Sequence, residues 1–181
     1  MRQCHQKAED LRMGFNHAPV SYVCVFGHIN HRFAVVVSLA AELSISTGAS
    51  WGEVKRLAGM RVAHGRVTFI DIKKGKDRTI PISQKLEAAL KAWGRGLLFP
   101  HIDYDLVCDA LKKVAPELPK DRAVHALRHT FASHFVMNGE NILVLQKILE
   151  HAKIQQTMVY AHLAPDYLQD AVRFNPMEKA I

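Results

Sequence analysis

Between Val124 and Gly139 the chain reads VHALRHTFASHFVMNG, which puts His125 and Arg128 three residues apart. On a helix that spacing displays the two side by side, while Leu127, Phe131 and Phe135 share another face and hold them from behind. Such a pair suits a phosphate diester. The guanidinium grips two non-bridging oxygens as a fork, and the imidazole donates a further hydrogen bond or moves a proton. An isolated H-x-x-R is more often a solvated basic face, so its neighbours decide. Downstream, LEHAKIQQTMVYAHLAP supplies His151 and, nine positions later, Tyr160. A tyrosine hydroxyl has a pKa near ~10 and is a poor nucleophile. It attacks phosphorus only when placed in line with it and when fixed cations already neutralise the developing charge. Tyr22, Tyr104 and Tyr167 compete for that part, and any of these tyrosines taken alone reads as a packing residue.

The histidines raise a second chemistry. His125 and His129 stand i, i+4, as zinc ligands do on a metalloprotease helix, but position 126 is alanine where that motif needs its glutamate. His129, His134 and His162 therefore read as structural or nucleic-acid-contacting residues, and no metal site is expected.

Positioning these groups requires a folded scaffold. The chain has 181 residues, 49% hydrophobic and 23% charged, as in an ordinary globular protein with one core. Its 24 Lys+Arg against 17 Asp+Glu give a net charge of +7, which favours an anionic partner such as nucleic acid. Cys4, Cys24 and Cys108 are odd in number and widely spaced, so they read as reduced thiols of a cytosolic protein. No apolar run reaches the ~18 residues of a membrane span, and the N-terminus lacks a signal-peptide layout.

Residues 1–32 show no sustained period and read as an irregular arm or a remnant of something longer. From Phe33 to Ser46 the apolar residues predict a core helix that TGAS breaks, and Ser50 with Glu53 makes a capping box for a short second helix over Trp51 to Ala58. RVTFIDIKK and DRTIPIS, around a Lys-Gly-Lys-Asp turn, predict a β-hairpin, with Arg61 and Val62 adding an edge strand. QKLEAALKAW and DYDLVCDALKKVAPEL predict helices, and further helices are expected over 124–138, 141–150, 156–163 and 165–174.

In order along the chain, STGASWGEVKRL, FIDIKKGKDRTIPIS, VHALRHTFASHF and LEHAKIQQTMVYAHL resemble the motifs of the tyrosine recombinases, specifically the phage-integrase type, over roughly residues 33–176. The resemblance implies an α+β fold, mainly helical with a small three-stranded antiparallel sheet. It divides the chain into an arm (1–32), a catalytic domain (33–176) and a tail (177–181). It also implies site-specific DNA recombination by strand cleavage and rejoining through a 3′-phosphotyrosyl intermediate. Tyr160 becomes the nucleophile and Arg128 a phosphate clamp with His125 beside it. His151 becomes a second hydrogen-bonding imidazole, and Lys73 the hairpin lysine that protonates the leaving 5′-oxygen, with Lys76 as its substitute. Lys74, Lys76, Arg78 and His129 are the expected DNA contacts. No cofactor and no metal are implied, since cationic side chains do the metal's work. The implied partners are double-stranded DNA, further copies of the chain as a tetramer on DNA, and an accessory DNA-bending protein. No membrane is involved, and the expected location is the cytoplasm of a bacterial or phage-infected cell. The segment AHLAPDYLQDAVRFNP, with Leu163, Leu168 and Val172 on one face, is left to pack on a neighbouring protomer or to cap its own domain.

The chain departs from the family's pattern in places that matter. A second phosphate-gripping arginine normally follows TGA, and here that position is Ser50. An arginine aimed at a phosphoryl transition state is worth about 10³ to 10⁵ in rate, and a serine hydroxyl cannot supply its field. Arg56 lies six residues on, on another helical face, and it and Arg32 are the candidates to compensate. Glu150 replaces the usual glycine before the second histidine, and there is no room for the family's amino-terminal DNA-binding domain. The alternative expectation is therefore a catalytically impaired DNA-binding remnant of an integrase.

Overall fold

The apolar run beginning at Phe33 forms helix α1, His31–Thr47. Ala34, Val37, Ala40 and Leu43 turn inward at a three-residue spacing that one helical face allows. Ser44 and Thr47 are buried as well, and their hydroxyls donate to the carbonyls of Ala40 and Leu43 one turn back, at 3.0 and 2.6 Å. Gly48, at φ +65°, ends the helix in the left-handed conformation that glycine adopts without steric penalty. Ser50 then caps helix α2, Trp51–Lys55, and the expected capping box is present in both directions. The helix stops short of Ala58 because Arg56 leaves helical geometry, at φ −95° and ψ 0°, and leads into a 3₁₀ turn at Gly59–Arg61.

This computed structural model describes residues 31–71, 76–116, 118, 123–165 and 175. They fall into two compact units, divided between residues 132 and 133. The expected arm over 1–32 lies, apart from its last two residues, outside the described residues, as does the helix expected over 165–174 apart from Pro165.

In the first unit a three-stranded antiparallel meander follows α2: β1 (Val62–Ala63), β2 (Arg66–Asp71) and β3 (Lys76–Pro81), in the order β1-β2-β3. Lys76 and Asp77, expected in the turn, belong to β3, because the ladder continues to the pair Asp71↔Lys76. Arg61, expected in the edge strand, closes the 3₁₀ turn instead. Strand alternation sends Val67, Phe69, Arg78 and Ile80 to the buried face. Thr68 and Thr79 pair on the other face, their hydroxyl oxygens 2.9 Å apart.

Helix α3 (Gln84–Lys91) buries Leu86 and Leu90. From its first turn, Glu87 accepts the Gly65 N–H at 2.8 Å and ties the β1–β2 turn to the helix. Helix α4 (Tyr104–Val114), capped by Asp103, buries Val107, Cys108, Ala110 and Leu111. Trp51 meets Tyr104 edge-to-face at 5.7 Å, which fixes the start of α2 against α4. Helix α5 (Ala123–Met137) follows and turns Ala123, Val124 and Leu127 inward.

The second unit contains the end of α5, helix α6 (Ile142–Leu149) and the short helix α7 (Gln155–Met158). The single helix expected over 156–163 is instead α7 plus a 3₁₀ turn at Ala161–Leu163, with Tyr160 as the residue before that turn. Thr157 lies inside α7 and is fully buried. Among the described residues no helix is long and apolar enough to cross a membrane.

Candidate active site

The first unit brings together the TGAS segment, α2, β3 and α5 around one carboxylate. Helix α5 leaves His125 exposed and Arg128 partly so, with the arginine side chain 19% accessible. Arg128 Nη1 donates to the Gly48 carbonyl at 2.9 Å and stands 3.6 Å from Glu53 Oε2. The left-handed turn at Gly48 thus does more than end α1, since its carbonyl becomes an acceptor for a guanidinium from another helix. Glu53 reaches Arg78 with its second oxygen, Oε1 to Nη2 at 2.5 Å. Arg78 Nη1 approaches the Thr47 carbonyl at 3.5 Å, and its guanidinium carbon lies 5.0 Å from the centre of the Phe69 ring.

This corrects the sequence expectation for Arg78, which was to contact DNA. It is only 6% exposed and sits on the core face of β3, opposite Phe69. The alternation that buries Ile80 also buries residue 78, and Glu53 compensates its charge. The role of Glu53 was likewise missed. It was read only as the partner of a helix cap, whereas it holds that cap and faces two guanidiniums. Burial is the largest single influence on the Glu53 carboxyl and would raise it, and the Arg78 charge is the first of several that oppose it. With the Ser50 N–H and hydroxyl and the Arg78 hydrogen bond adding to that charge, the pKa lies below the ordinary carboxylate value.

Ser50, expected to stand where the family has an arginine, turns toward Glu53. Its N–H and hydroxyl both donate to Glu53 Oε2, at 2.7 and 2.8 Å. One carboxylate against two guanidiniums leaves a surplus positive charge at the cluster, smaller than an added arginine would give. Arg56 folds its side chain back along α2, where a Cβ on Gly52 would stand 3.3 Å from its Nη1. His129, on the exposed side of α5, titrates below the ordinary histidine value, first because nearby protein partly desolvates the ring and then because of the charges of His125 and Arg128.

In the second unit the bonds are short in sequence range. His151 Nδ1 and Thr157 Oγ1 are 2.9 Å apart, and Gln146 Nε2 donates to the His151 carbonyl at 3.1 Å. Thr157 also accepts the Tyr160 N–H on its carbonyl at 3.0 Å, so one residue contacts both His151 and the tyrosine's backbone. Tyr160 is 7% exposed. Sequence reasoning missed Thr157 as a partner of His151, and its one signal was a hydroxyl residue six positions on. Glu150 sits at φ +52°, ψ 34°, the C-terminal cap of α6, with the His151 N–H bonded back to the Gln146 carbonyl at 3.1 Å. That is a left-handed helix stop of the kind glycine favours, which explains why glycine is usual there.

Lys73 and Lys74 lie outside the described residues, and Lys76 is placed only as the first residue of β3. His134 is half-buried and His162 exposed. Among the described residues no group of three or more His, Cys, Asp or Glu is arranged to hold a metal ion.

The profile of the Phage integrase family matches residues 28–166. The chain belongs to this family. Among phage integrases, that of Escherichia phage P2 is 50% identical over 137 residues, covering 76% of this chain and 41% of that protein. The integrase of Escherichia phage 186 is 40% identical over 172 residues, covering 94% of this chain and 50% of that protein. The chain thus spans half or less of the length of these curated relatives. The solved structure of the catalytic domain of bacteriophage HP1 integrase superposes with a TM-score of 0.71 at 40% identity, covering 82% of this chain and 94% of that one. The fold is accordingly that of a phage integrase catalytic domain, mostly helical with a small three-stranded antiparallel sheet. The XerH site-specific recombinase bound to its palindromic difH substrate, at 17% identity and a TM-score of 0.66, shares the fold.

Proposed function

We propose that this chain is the DNA-cleaving portion of a site-specific recombinase of a phage or mobile element. It would cut and rejoin double-stranded DNA through a 3′-phosphotyrosyl link. The observation that supports this most is Arg128, partly exposed beside His125 and held from behind by the Gly48 carbonyl and the Glu53 carboxylate. A guanidinium fixed in this way supplies preorganised positive charge for a phosphoryl transition state at no cost of rearrangement during the reaction.

In this reading the Tyr160 oxygen attacks phosphorus, the bond to the 5′-oxygen breaks, and that oxygen takes a proton from Lys73 or, in its place, Lys76. Arg128 and His125 bind the non-bridging oxygens, and His151 adds a hydrogen bond from an imidazole oriented by Thr157. Lys74, Lys76 and His129 contact the duplex. No cofactor takes part. The chain works as a tetramer on DNA with an accessory bending protein, in the cytoplasm of a bacterial or phage-infected cell. DNA-bound recombinases of the same fold support the duplex as partner, XerH on difH among them.

One observation favours a second reading. Ser50 is committed to Glu53 and to its helix cap, and it offers no charge to a phosphate. In that reading the chain is an impaired remnant that keeps the fold and binds DNA. Nicked suicide duplexes carrying its attachment-site sequence separate the two. The recombinase reading expects a covalent adduct that disappears in Tyr160→Phe and forms about 10³-fold or more faster in Ser50→Arg. An adduct seen only after Ser50→Arg identifies the remnant, and none in either form overturns the recombinase reading.

A further inference from the structure

The outer face of the sheet carries cations for which the cleavage chemistry has no use. A shallow depression of about 530 Å³ lies over the Thr68 and Thr79 hydroxyls and is walled by Arg61, His64 and Arg66. A smaller one, of about 250 Å³, adjoins it through the shared residues Arg61 and Thr68 and reaches Arg56 and Glu53. Among the described residues lining both, Glu53 is the one carboxylate, and its oxygens are already engaged by Ser50 and Arg78. Among the described residues Arg56, Arg61 and Arg66 make no salt bridge. His64 occupies the β1–β2 turn with Gly65, both at positive φ, +52° and +69°. Glycine or asparagine would take that position with less strain, yet it presents an imidazole at the rim.

Three guanidiniums, an imidazole and two paired hydroxyls are a donor set for phosphate oxygens, and nothing among them accepts a proton strongly. Exposed Met60 and Leu97 add apolar surface to the lining, and the charge comes from the arginines and the histidine around it. A row of cations of this sort fits a polyanionic rod. It is also separate from the lysine hairpin. Arg66 begins β2 and Asp71 ends it, roughly 17 Å further along the strand at ~3.3 Å per residue.

We propose that the track formed by Arg56, Arg61, His64 and Arg66 binds the sugar-phosphate backbone of duplex DNA away from the phosphate that is cut. It would act as a second anchor that reads no sequence. The proposal rests on the reading of the chain as a DNA-binding recombinase. Phosphate contacts of this kind raise affinity through counterion release and so show themselves in salt dependence.

The test uses the full chain and a labelled duplex of arbitrary sequence, ~30 base pairs long, titrated at several salt concentrations. The double variant Arg61→Gln/Arg66→Gln is compared with the hairpin variant Lys74→Gln/Lys76→Gln. The track variant is expected to weaken binding on the order of tenfold and to flatten the plot of log K against log salt by roughly two units, near ~0.9 per lost contact. Should the double variant melt early, Thr79→Glu, on an exposed strand position, is read instead and is expected to give a loss of the same kind. A slope unchanged in the track variants but reduced in the hairpin variant overturns the proposal and leaves DNA binding standing. Wild-type protein that binds no duplex at all removes the DNA reading itself. A track variant that loses self-association in sedimentation, with its DNA slope intact, assigns the face to a second copy of the chain and also overturns the proposal.

Discussion

The two units hold their functional side chains by different means. Around Arg128 the bonds cross long stretches of sequence, 80 residues to Gly48, with Arg78 spanning 31 to Thr47 and 25 to Glu53. Around His151, two of the bonds are local, spanning five residues to Gln146 and six to Thr157. A network of the first kind exists only when α1, α2, β3 and α5 are all in place, so it opens only with the whole unit. Local bonds open singly and at lower free energy. The contrast fits the proposed chemistry, in which charge-neutralising groups would gain from being fixed in advance and the buried Tyr160 would have to be presented to a phosphate.

The largest effect is expected at the hub. Glu53→Ala takes the Glu53 carboxylate away from the buried Arg78 and removes one anchor of Arg128. Breaking a buried pair by deleting one partner costs about 3–5 kcal/mol, and urea unfolding should show a loss of that size. The same carboxylate sets a pH dependence. Its folded-state pKa lies below its unfolded value, so its contribution to stability is fully present above ~4.3 and declines as pH falls through the lowered folded value. Wild type should therefore lose stability on acidification more steeply than Glu53→Gln. Equal acid sensitivity in the two proteins would mean that Glu53 is not the hub.

Parts of this arrangement were legible in the sequence and parts were not, for physical reasons. The capping box of Ser50 and Glu53 is a local pattern and was read correctly, as were α1 and the hairpin, because period and turn chemistry act over a few residues. Arg78 shows where a stronger cue misled. Its two-residue phase with Ile80 marks the core face, but an arginine in a basic hairpin suggests an exposed phosphate contact. The cross-chain carboxylate of Glu53 helps make its burial tolerable, and no local pattern announces a partner 25 residues away. The break between α7 and the following 3₁₀ turn likewise has no glycine or proline to signal it. The Thr157 bond to His151 depends on a fold-back that periodicity cannot encode.

A smaller effect is expected in the local cluster. Thr157→Val keeps the volume and removes the hydroxyl that meets His151 Nδ1, which is worth about 1 kcal/mol. Hydrogen exchange should speed up over residues 146–160 and stay at its wild-type rate over 34–54. If exchange rises equally in both stretches, the two units do not open separately and the contrast between them fails. The imidazole would also lose its orientation, so adduct formation should slow while duplex affinity holds.

The smallest effect concerns Glu150, and it runs toward greater stability. A non-glycine residue in the left-handed region costs roughly 1–2 kcal/mol, and Glu150 occupies that region at the end of α6. Glycine removes this strain but adds freedom to the unfolded chain worth roughly 0.5–1 kcal/mol. Glu150→Gly should therefore stabilise by about 0.5–1 kcal/mol, visible as a higher melting temperature. The gain should be confined to the second unit, with slower exchange at the end of α6 and at the His151 amide, whose bond to the Gln146 carbonyl the cap secures. A lower melting temperature would show that the glutamate side chain contributes more than its backbone strain costs. Glu150 would then be a working part of the tyrosine's surroundings, and its replacement of the family's glycine would have a purpose beyond ending a helix.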